Sequence, residues 1–181
     1  MRFSLSCVPS ETERLTFAKL DDSLINEFYK YSKQEEIYEH LEFKPFLTIE
    51  ETAKYLAKLK SRINSGKGDY RFILNKEKDE ILGLFGMHSY DDYRKSVEFG
   101  YGVSPRHHRK GFFTEAALHL LSNLFVKTDI HRIYAYTSSK NLSSCKSLEK
   151  VGFQKEGIIR DYYLKDKKFF DAVLYSRIRG N

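Results

Sequence analysis

The sequence predicts an α+β fold: one domain over residues 1–181, in which a mixed, mostly antiparallel sheet of about seven strands is flanked by helices on both faces. Three observations lead there. Short runs of β character alternate with longer stretches of helical period, the pattern of strands covered by helices. Several strands are separated only by polar turns, at residues 75–80, at Asp91-Asp92 and at Lys165-Asp166-Lys167, so part of the sheet is joined as hairpins. The length suits one hydrophobic core, and no repeat, linker or low-complexity tract divides it.

Residues 11–20 carry Leu15, Phe17 and Leu20 in a partly alternating pattern and form the first expected strand. Asp21-Asp22-Ser23 starts a helix with Leu24, Phe28 and Tyr31 at helical spacing, and residues 35–41 give a second short piece that ends before Pro45. Thr48-Ile49-Glu50-Glu51 has the form of a capping box, and Tyr55, Leu56, Leu59 and Ile63 make the apolar stripe of the helix it opens. Ser65-Gly66-Lys67-Gly68 ends that helix, and residues 70–74 and 81–87 follow as a hairpin. In the next strand Val97, Phe99, Tyr101 and Val103 share one face, while Glu98, Gly100 and Gly102 share the other. Two readings fit that second face. Either it opens the backbone to a ligand, with Glu98 as the functional group beside it, or it admits a packed helix and Glu98 is solvated.

Phe112, Ala116, Leu120 and Leu124 mark the buried side of a long helix, and residues 131–137 are a further strand. Asn141 caps the next helix and Gly152 closes it. Residues 154–163 and 168–178 supply the last two strands.

Composition narrows the function. Hydrophobic residues at 41% and aromatics at 15%, with three prolines, exclude a disordered chain. A net charge of +6 suits a polyanionic partner or a nucleotide-like cofactor. No nucleic-acid motif and no platform of interleaved aromatic and basic residues accompanies it, so direct nucleic-acid binding is not expected. Cys7 and Cys145 lack metal-ligand spacing and suit a reducing compartment, and the six histidines show no ligand pattern, so no metal site is expected. The opening MRFSLSCVPSE is too polar for a signal peptide and no run approaches a membrane span, which makes a cytoplasmic protein the expectation.

Two motifs carry chemistry. Pro105-Arg106-His107-His108-Arg109-Lys110-Gly111-Phe112-Phe113-Thr114-Glu115-Ala116-Ala117 follows a strand and opens a helix. A basic loop ending in glycine at a helix start gathers unpaired N–H groups and cations in one place, which is what a diphosphate needs. Taken alone, it also fits a solvated basic turn. The second motif is Asn141-Leu142-Ser143-Ser144-Cys145-Lys146-Ser147-Leu148-Glu149-Lys150-Val151-Gly152-Phe153.

In order, spacing and residue type the pair resembles the GNAT superfamily of acetyl-CoA-dependent N-acetyltransferases. Together with Glu98-Phe99-Gly100-Tyr101, Glu156-Gly157 and Asp171-Ala172-Val173-Leu174-Tyr175-Ser176, it is most similar to the ribosomal-protein N-terminal acetyltransferase group. His108 stands where that loop usually has Gln or Arg, and Phe113 where Gly or Ala is usual.

The resemblance implies acetyl transfer to a primary amine without an acyl-enzyme. The acceptor it points to is the α-amino group of a ribosomal protein; a small amine such as a polyamine, an aminoglycoside or an amino acid is the alternative, and a non-catalytic CoA-binding module is a further one. Backbone N–H groups of Arg109, Lys110, Gly111, Phe112 and Phe113 would hold the pyrophosphate, with Arg106 and Arg109 adding screened charge and His108 and Thr114 also among the cofactor-binding residues. The pantetheine would lie like an extra strand against the backbone of Gly100, Tyr101, Gly102 and Val103, with Asn141 and Ser144 next to it. Glu98 is the implied base and Ser144 the implied acid, with Tyr162 or Tyr163 in reserve. Cys145 lies in the apolar stripe with Leu142 and Leu148 and has no base partner, which argues against a nucleophile. Asp171 orients substrate or is merely an exposed carboxylate. Acceptor choice would rest on residues 29–46 and 162–170, and a homodimer through the last strands is implied.

Overall fold

The structure, a computed structural model, describes residues 4–180, so Met1 to Phe3 and Asn181, the ends of the expected domain, lie outside the described residues. In chain order the elements are β1 (Leu15–Ala18), α1 (Ile25–Ser32), α2 (Ile49–Asn64), β2 (Gly68–Asn75), β3 (Ile81–Asp91), β4 (Ser96–Val103), α3 (Phe112–Lys127), β5 (Arg132–Ser138), α4 (Leu142–Lys150), β6 (Gln154–Lys165) and β7 (Lys168–Ile178). The seven strands form one sheet in the order β1-β2-β3-β4-β5-β7-β6. Only β4 and β5 pair in parallel. This is the mixed, mostly antiparallel α+β sheet that the sequence predicts.

Both faces are covered because apolar residues of the central strands face both sides of the sheet. Leu15, Val97, Phe99 and Ile133 pack with Ala116, Leu120 and Leu124 of α3 and Leu148 of α4. Phe72 and Leu74 pack on the opposite face with Phe28 and Tyr31 of α1 and Leu56 and Leu59 of α2.

The expected first strand is cut to four residues. Upstream of it the chain folds back on β1 in a tight turn, with Thr12 N–H donating to the Leu15 carbonyl at 2.9 Å and Phe17 N–H to the Ser10 carbonyl at 2.6 Å, while the Thr12 hydroxyl and the Arg14 N–H donate to the Glu115 carboxylate on α3, at 2.6 and 3.0 Å. Asp21 does cap, accepting from Ser23 N–H at 2.8 Å, but the turn it starts (Asp22–Leu24) is 3₁₀ and α1 begins at Ile25. The piece expected at 35–41 is a 3₁₀ turn over Glu35–Tyr38. Thr48 accepts from Glu51 N–H at 3.2 Å as a capping box requires, whereas the Glu51 carboxylate reaches back to Leu47 N–H at 2.7 Å, one residue before the box position. The last hairpin closes tightly: Asp166 and Lys167 have φ of 48° and 62°, the left-handed pair that a two-residue turn of matching twist demands.

Candidate active site

The site begins where the sheet stops being a sheet. The β4–β5 ladder runs only from Ser96↔Arg132 to Glu98↔Tyr134. Beyond it β4 stays paired with β3 as far as Gly83↔Val103, and β5 with β7 as far as Ser138↔Ala172, so the two parallel strands part. A cleft of about 950 Å³ opens between them, lined by residues 99–103 on one side and by residues 136–138, Asn141 and Ser144 on the other. A strand edge without a neighbour offers N–H and C=O groups to an extended ligand.

At one end of the cleft lies the basic loop. Arg109 and Gly111 are left-handed, with φ of 61° and 82°, and this tight backbone delivers the chain into α3. Gly111 is the N-cap of α3 and no side chain caps it, so the N–H groups of the first turn have no side-chain acceptor. These donors and the positive end of the helix dipole suit an anion, and a diphosphate fits the residues present. Arg14 clasps the loop from outside: its Nε donates to Glu115 at 2.6 Å, its Nη1 to the Lys110 carbonyl at 3.1 Å, and its guanidinium lies 4.7 Å from the Phe112 ring centroid.

The basic side chains are split by the 3₁₀ turn at Pro105–His107. Arg109, His107 and His108 line the cleft. Arg106, expected to add charge to the loop, instead borders a separate hollow with Glu27, Lys30, Gln34 and Glu80. Lys110 does not line the cleft either. The His108 ring bonds through Nε2 to the Val103 carbonyl at 3.1 Å, and His107 Nε2 is 2.8 Å from Glu80.

On the α4 side, the Asn141 side-chain oxygen accepts from Ser144 N–H at 3.0 Å and from the Ser143 hydroxyl at 2.9 Å, which leaves its NH₂ for a ligand. The Ser144 and Tyr101 hydroxyls share a hydrogen bond of 2.6 Å, joining β4 to α4 across the cleft floor. Burial raises the Tyr101 phenol above its ordinary range. Of the two reserve tyrosines, Tyr163 lines the cleft and Tyr162 does not; Tyr162 is exposed and stacks on Tyr136 at 5.0 Å. The Asp171 carboxylate accepts from Asp161 N–H at 3.0 Å and so holds the bulge in β6, away from the cleft lining.

The glycine face of β4 is not bare. A Cβ on Gly102 would meet the Tyr31 hydroxyl, one on Gly100 would meet the His88 ring, and one on Gly86 across the ladder would meet Tyr70. The glycines make room for side chains from α1, β2 and β3, so neither expectation describes that face: it is filled chiefly by rings from neighbouring strands, Glu98 is half-buried, and Gly100 and Gly102 line the cleft together with those rings. Glu98, half-buried and in register with His88, is not itself a wall of the cleft. Burial raises its carboxyl above the usual carboxylate range, against weaker pulls from Ser89 and Arg62.

The far end of the cleft is aromatic: Tyr31, Tyr38, Phe43, Phe46 and Tyr55 line it, and Glu36 and Glu39 are at its border. Residues of the segment 29–46, expected to govern acceptor choice, line the cleft, as do His88, Tyr70 and Tyr55, which come from three elements with no motif in common and were not among the expected site residues. Among the described residues no group of three or more His, Cys, Asp or Glu is placed to hold a metal ion, and no helix is long and apolar enough to cross a membrane.

Comparison with known proteins agrees with this geometry. The family model of the acetyltransferase (GNAT) domain matches residues 14–154. The uncharacterized N-acetyltransferase p20 of Bacillus licheniformis is 28% identical over 168 residues, spanning 93% of this chain and 94% of that protein. Two solved structures share the fold. The ribosomal-protein-S5-alanine acetyltransferase of Vibrio fischeri superposes with a TM-score of 0.82 at 21% identity, covering 94% of this chain and 96% of that one. The spermidine N-acetyltransferase of Vibrio cholerae, in complex with CoA and spermine, gives 0.79 at 18% identity, covering 93% and 97%. With a family model matched across most of its length onto this cleft and loop, the chain belongs to the GNAT acetyltransferases and is an acetyl-CoA-dependent N-acetyltransferase.

Proposed function

We propose that the chain, as one catalytic domain over residues 1–181 acting in the cytoplasm, acetylates the N-terminal α-amino group of a protein, a ribosomal protein by preference. One observation carries the reading: the β4–β5 cleft connects an uncapped helix start at one end to an aromatic-walled cavity at the other. That layout supports a ternary complex in which the amine attacks the thioester directly. The likeness to a ribosomal-protein acetyltransferase supports the substrate class.

Acetyl-CoA would be held by the backbone N–H groups at Gly111 to Thr114 with Arg109 beside them, by the β4 edge at Tyr101 to Val103, and by the Asn141 NH₂; it supplies the activated acetyl thioester. Glu98 takes the proton of the acceptor ammonium, through water because it stands behind the cleft wall. Its raised pKa makes it a better base than an exposed carboxylate. An N–H of the open β4 edge donates to the oxyanion as the C–N bond forms. The Ser144 hydroxyl, paired with Tyr101, gives a proton to the departing sulfur as the C–S bond breaks, and is restored by the second proton that the acetylated nitrogen loses, passed through solvent.

A second reading, acetylation of a small polycationic amine, is favoured by Glu36 and Glu39 at the aromatic end and by the likeness to a spermidine acetyltransferase. Pairing of two copies is supported at β6, which ends the sheet and exposes Ile158, Leu164 and, on its partner strand, Phe169. The acceptor is tested by measuring thiol release from acetyl-CoA with ribosomal-protein N-terminal peptides, polyamines and aminoglycosides. Preference for the peptides supports the first reading, and preference for polyamines replaces it with the second.

A further inference from the structure

We infer that His88 is a specificity-determining residue whose Nε2–H donates a hydrogen bond to a carbonyl oxygen next to the acceptor amine, so that the site selects α-amino-acyl acceptors over plain alkylamines. The inference rests on the acetyl-transfer reading above and names a determinant within it.

The argument starts from a short relay. Arg62 Nε donates to the Tyr70 hydroxyl at 2.7 Å, and that hydroxyl is 3.0 Å from His88 Nδ1. Arginine has no acceptor, so the Tyr70 oxygen is the acceptor in the first bond. The hydroxyl's own proton then has one acceptor among the described residues, His88 Nδ1. With Nδ1 accepting, the ring proton of the neutral imidazole sits on Nε2. Burial, reinforced by Arg62, lowers the His88 pKa to about 4, which keeps the ring neutral around pH 7.

Nε2 makes no hydrogen bond among the described residues. It stands over Gly100, where any Cβ would collide with it, and His88, Tyr70, Gly86 and Gly100 together line the cleft. Arg62 of α2 and Tyr70 of β2 face the ring and Glu98 of β4 is its partner in the ladder; beyond them Tyr31 of α1 meets Gly102 and Tyr134 of β5 is near Glu98. A fixed donor on the acceptor side of the cleft has a chemical preference. An α-amino group has a carbonyl oxygen three bonds away, which can accept, whereas a protonated polyamine offers further N–H donors and nothing that accepts. A neutral imidazole locked as donor by its environment is a known way for a protein to polarise a carbonyl.

The test compares kcat/KM for a tripeptide and for a size-matched alkyldiamine, as a ratio, in wild type, His88→Phe, His88→Gln and Tyr70→Phe. His88→Phe is expected to lower the peptide-to-diamine ratio about 10-fold, the scale of one hydrogen bond lost from a site built to make it. His88→Gln keeps an N–H in reach and is expected to recover most of it, and Tyr70→Phe to lose a few-fold of it. The ¹⁵N imidazole spectrum of the wild-type protein is expected to show the Nε2–H tautomer. An unchanged ratio in His88→Phe, a Gln variant as poor as the Phe variant, or an Nδ1–H tautomer overturns the inference while leaving acetyl transfer intact. No turnover of wild type with any amine overturns the acetyl-transfer reading and this inference with it.

Discussion

Replacing Gly111 by alanine perturbs the one residue on which the loop's shape depends most. Its φ of 82° lies in the left-handed region, where a Cβ costs roughly 1–2 kcal/mol. The nearest neighbour of that Cβ is Arg14 Nη2 at 3.4 Å, an ordinary contact at the tip of a flexible side chain, so the cost is in the backbone and not in crowding. Alanine also restricts the unfolded chain, which returns about 0.4–1 kcal/mol. The net loss is then about 0.5–1.5 kcal/mol, a fall in Tm of roughly 1–6 °C for a domain of this size. The larger consequence is for ligand binding. If the chain escapes the strain by turning φ negative, the first-turn N–H groups of α3 turn away from the anion they face. Restoring them on binding costs about 1–2 kcal/mol, or roughly 5–30-fold in acetyl-CoA affinity. Calorimetric titration with acetyl-CoA, beside thermal unfolding, measures both. Arg109→Ala is the control, since it keeps a left-handed non-glycine residue and removes only a solvent-screened charge. Wild-type acetyl-CoA affinity in Gly111→Ala would refute the backbone cradle.

Three further outcomes follow from the same geometry. Glu98→Gln is expected to lower kcat/KM about 100-fold or more. Because burial raises the Glu98 pKa, the fold loses stability as pH rises through it, so the same variant should melt higher than wild type at pH 8 and no higher at pH 4. Glu115→Ala removes the acceptor of Thr12 and Arg14 and is expected to cost about 2–3 kcal/mol, seen as faster hydrogen exchange of residues 11–14 and a Tm lowered by roughly 4–10 °C. His88 stays neutral in the fold down to about pH 4, whereas the unfolded chain takes up its proton near 6.5. Stability should fall between those values by about 3 kcal/mol at roughly 1.4 kcal/mol per unit, and urea midpoints of His88→Gln should fall less over that range.

What the sequence made legible was local. The alternation of residues 97–103, the Thr48 and Asn141 caps and the glycine before α3 each act through residues a few positions apart, and each lies where the pattern placed it. What it concealed depends on distant partners. Arg14 and Glu115 lie far apart in the sequence and meet in the fold, and the turn that folds residues 10–12 back onto β1 leaves that strand only four residues long. Arg62, Tyr70 and His88 converge from α2, β2 and β3, and no spacing announces such a relay. The glycines of β4 were read through what they lack, and the two rings that use the space, Tyr31 and His88, come from elsewhere in the chain. Arg106 reads as part of one basic cluster with His108 and Arg109, yet it lies in a single 3₁₀ turn and borders a separate hollow.

The central claim is that the parted β4 and β5 strands bring acetyl-CoA and an amine together for direct transfer. The measurement that tests it most directly is free-thiol release from acetyl-CoA by the purified protein, with and without an amine acceptor, with the mass of the acceptor read at the end of each reaction. The account predicts release that depends on the amine, matched mole for mole by acceptor that has gained an acetyl group. Thiol release at the same rate without any amine, or release that leaves the acceptor unmodified, would contradict it.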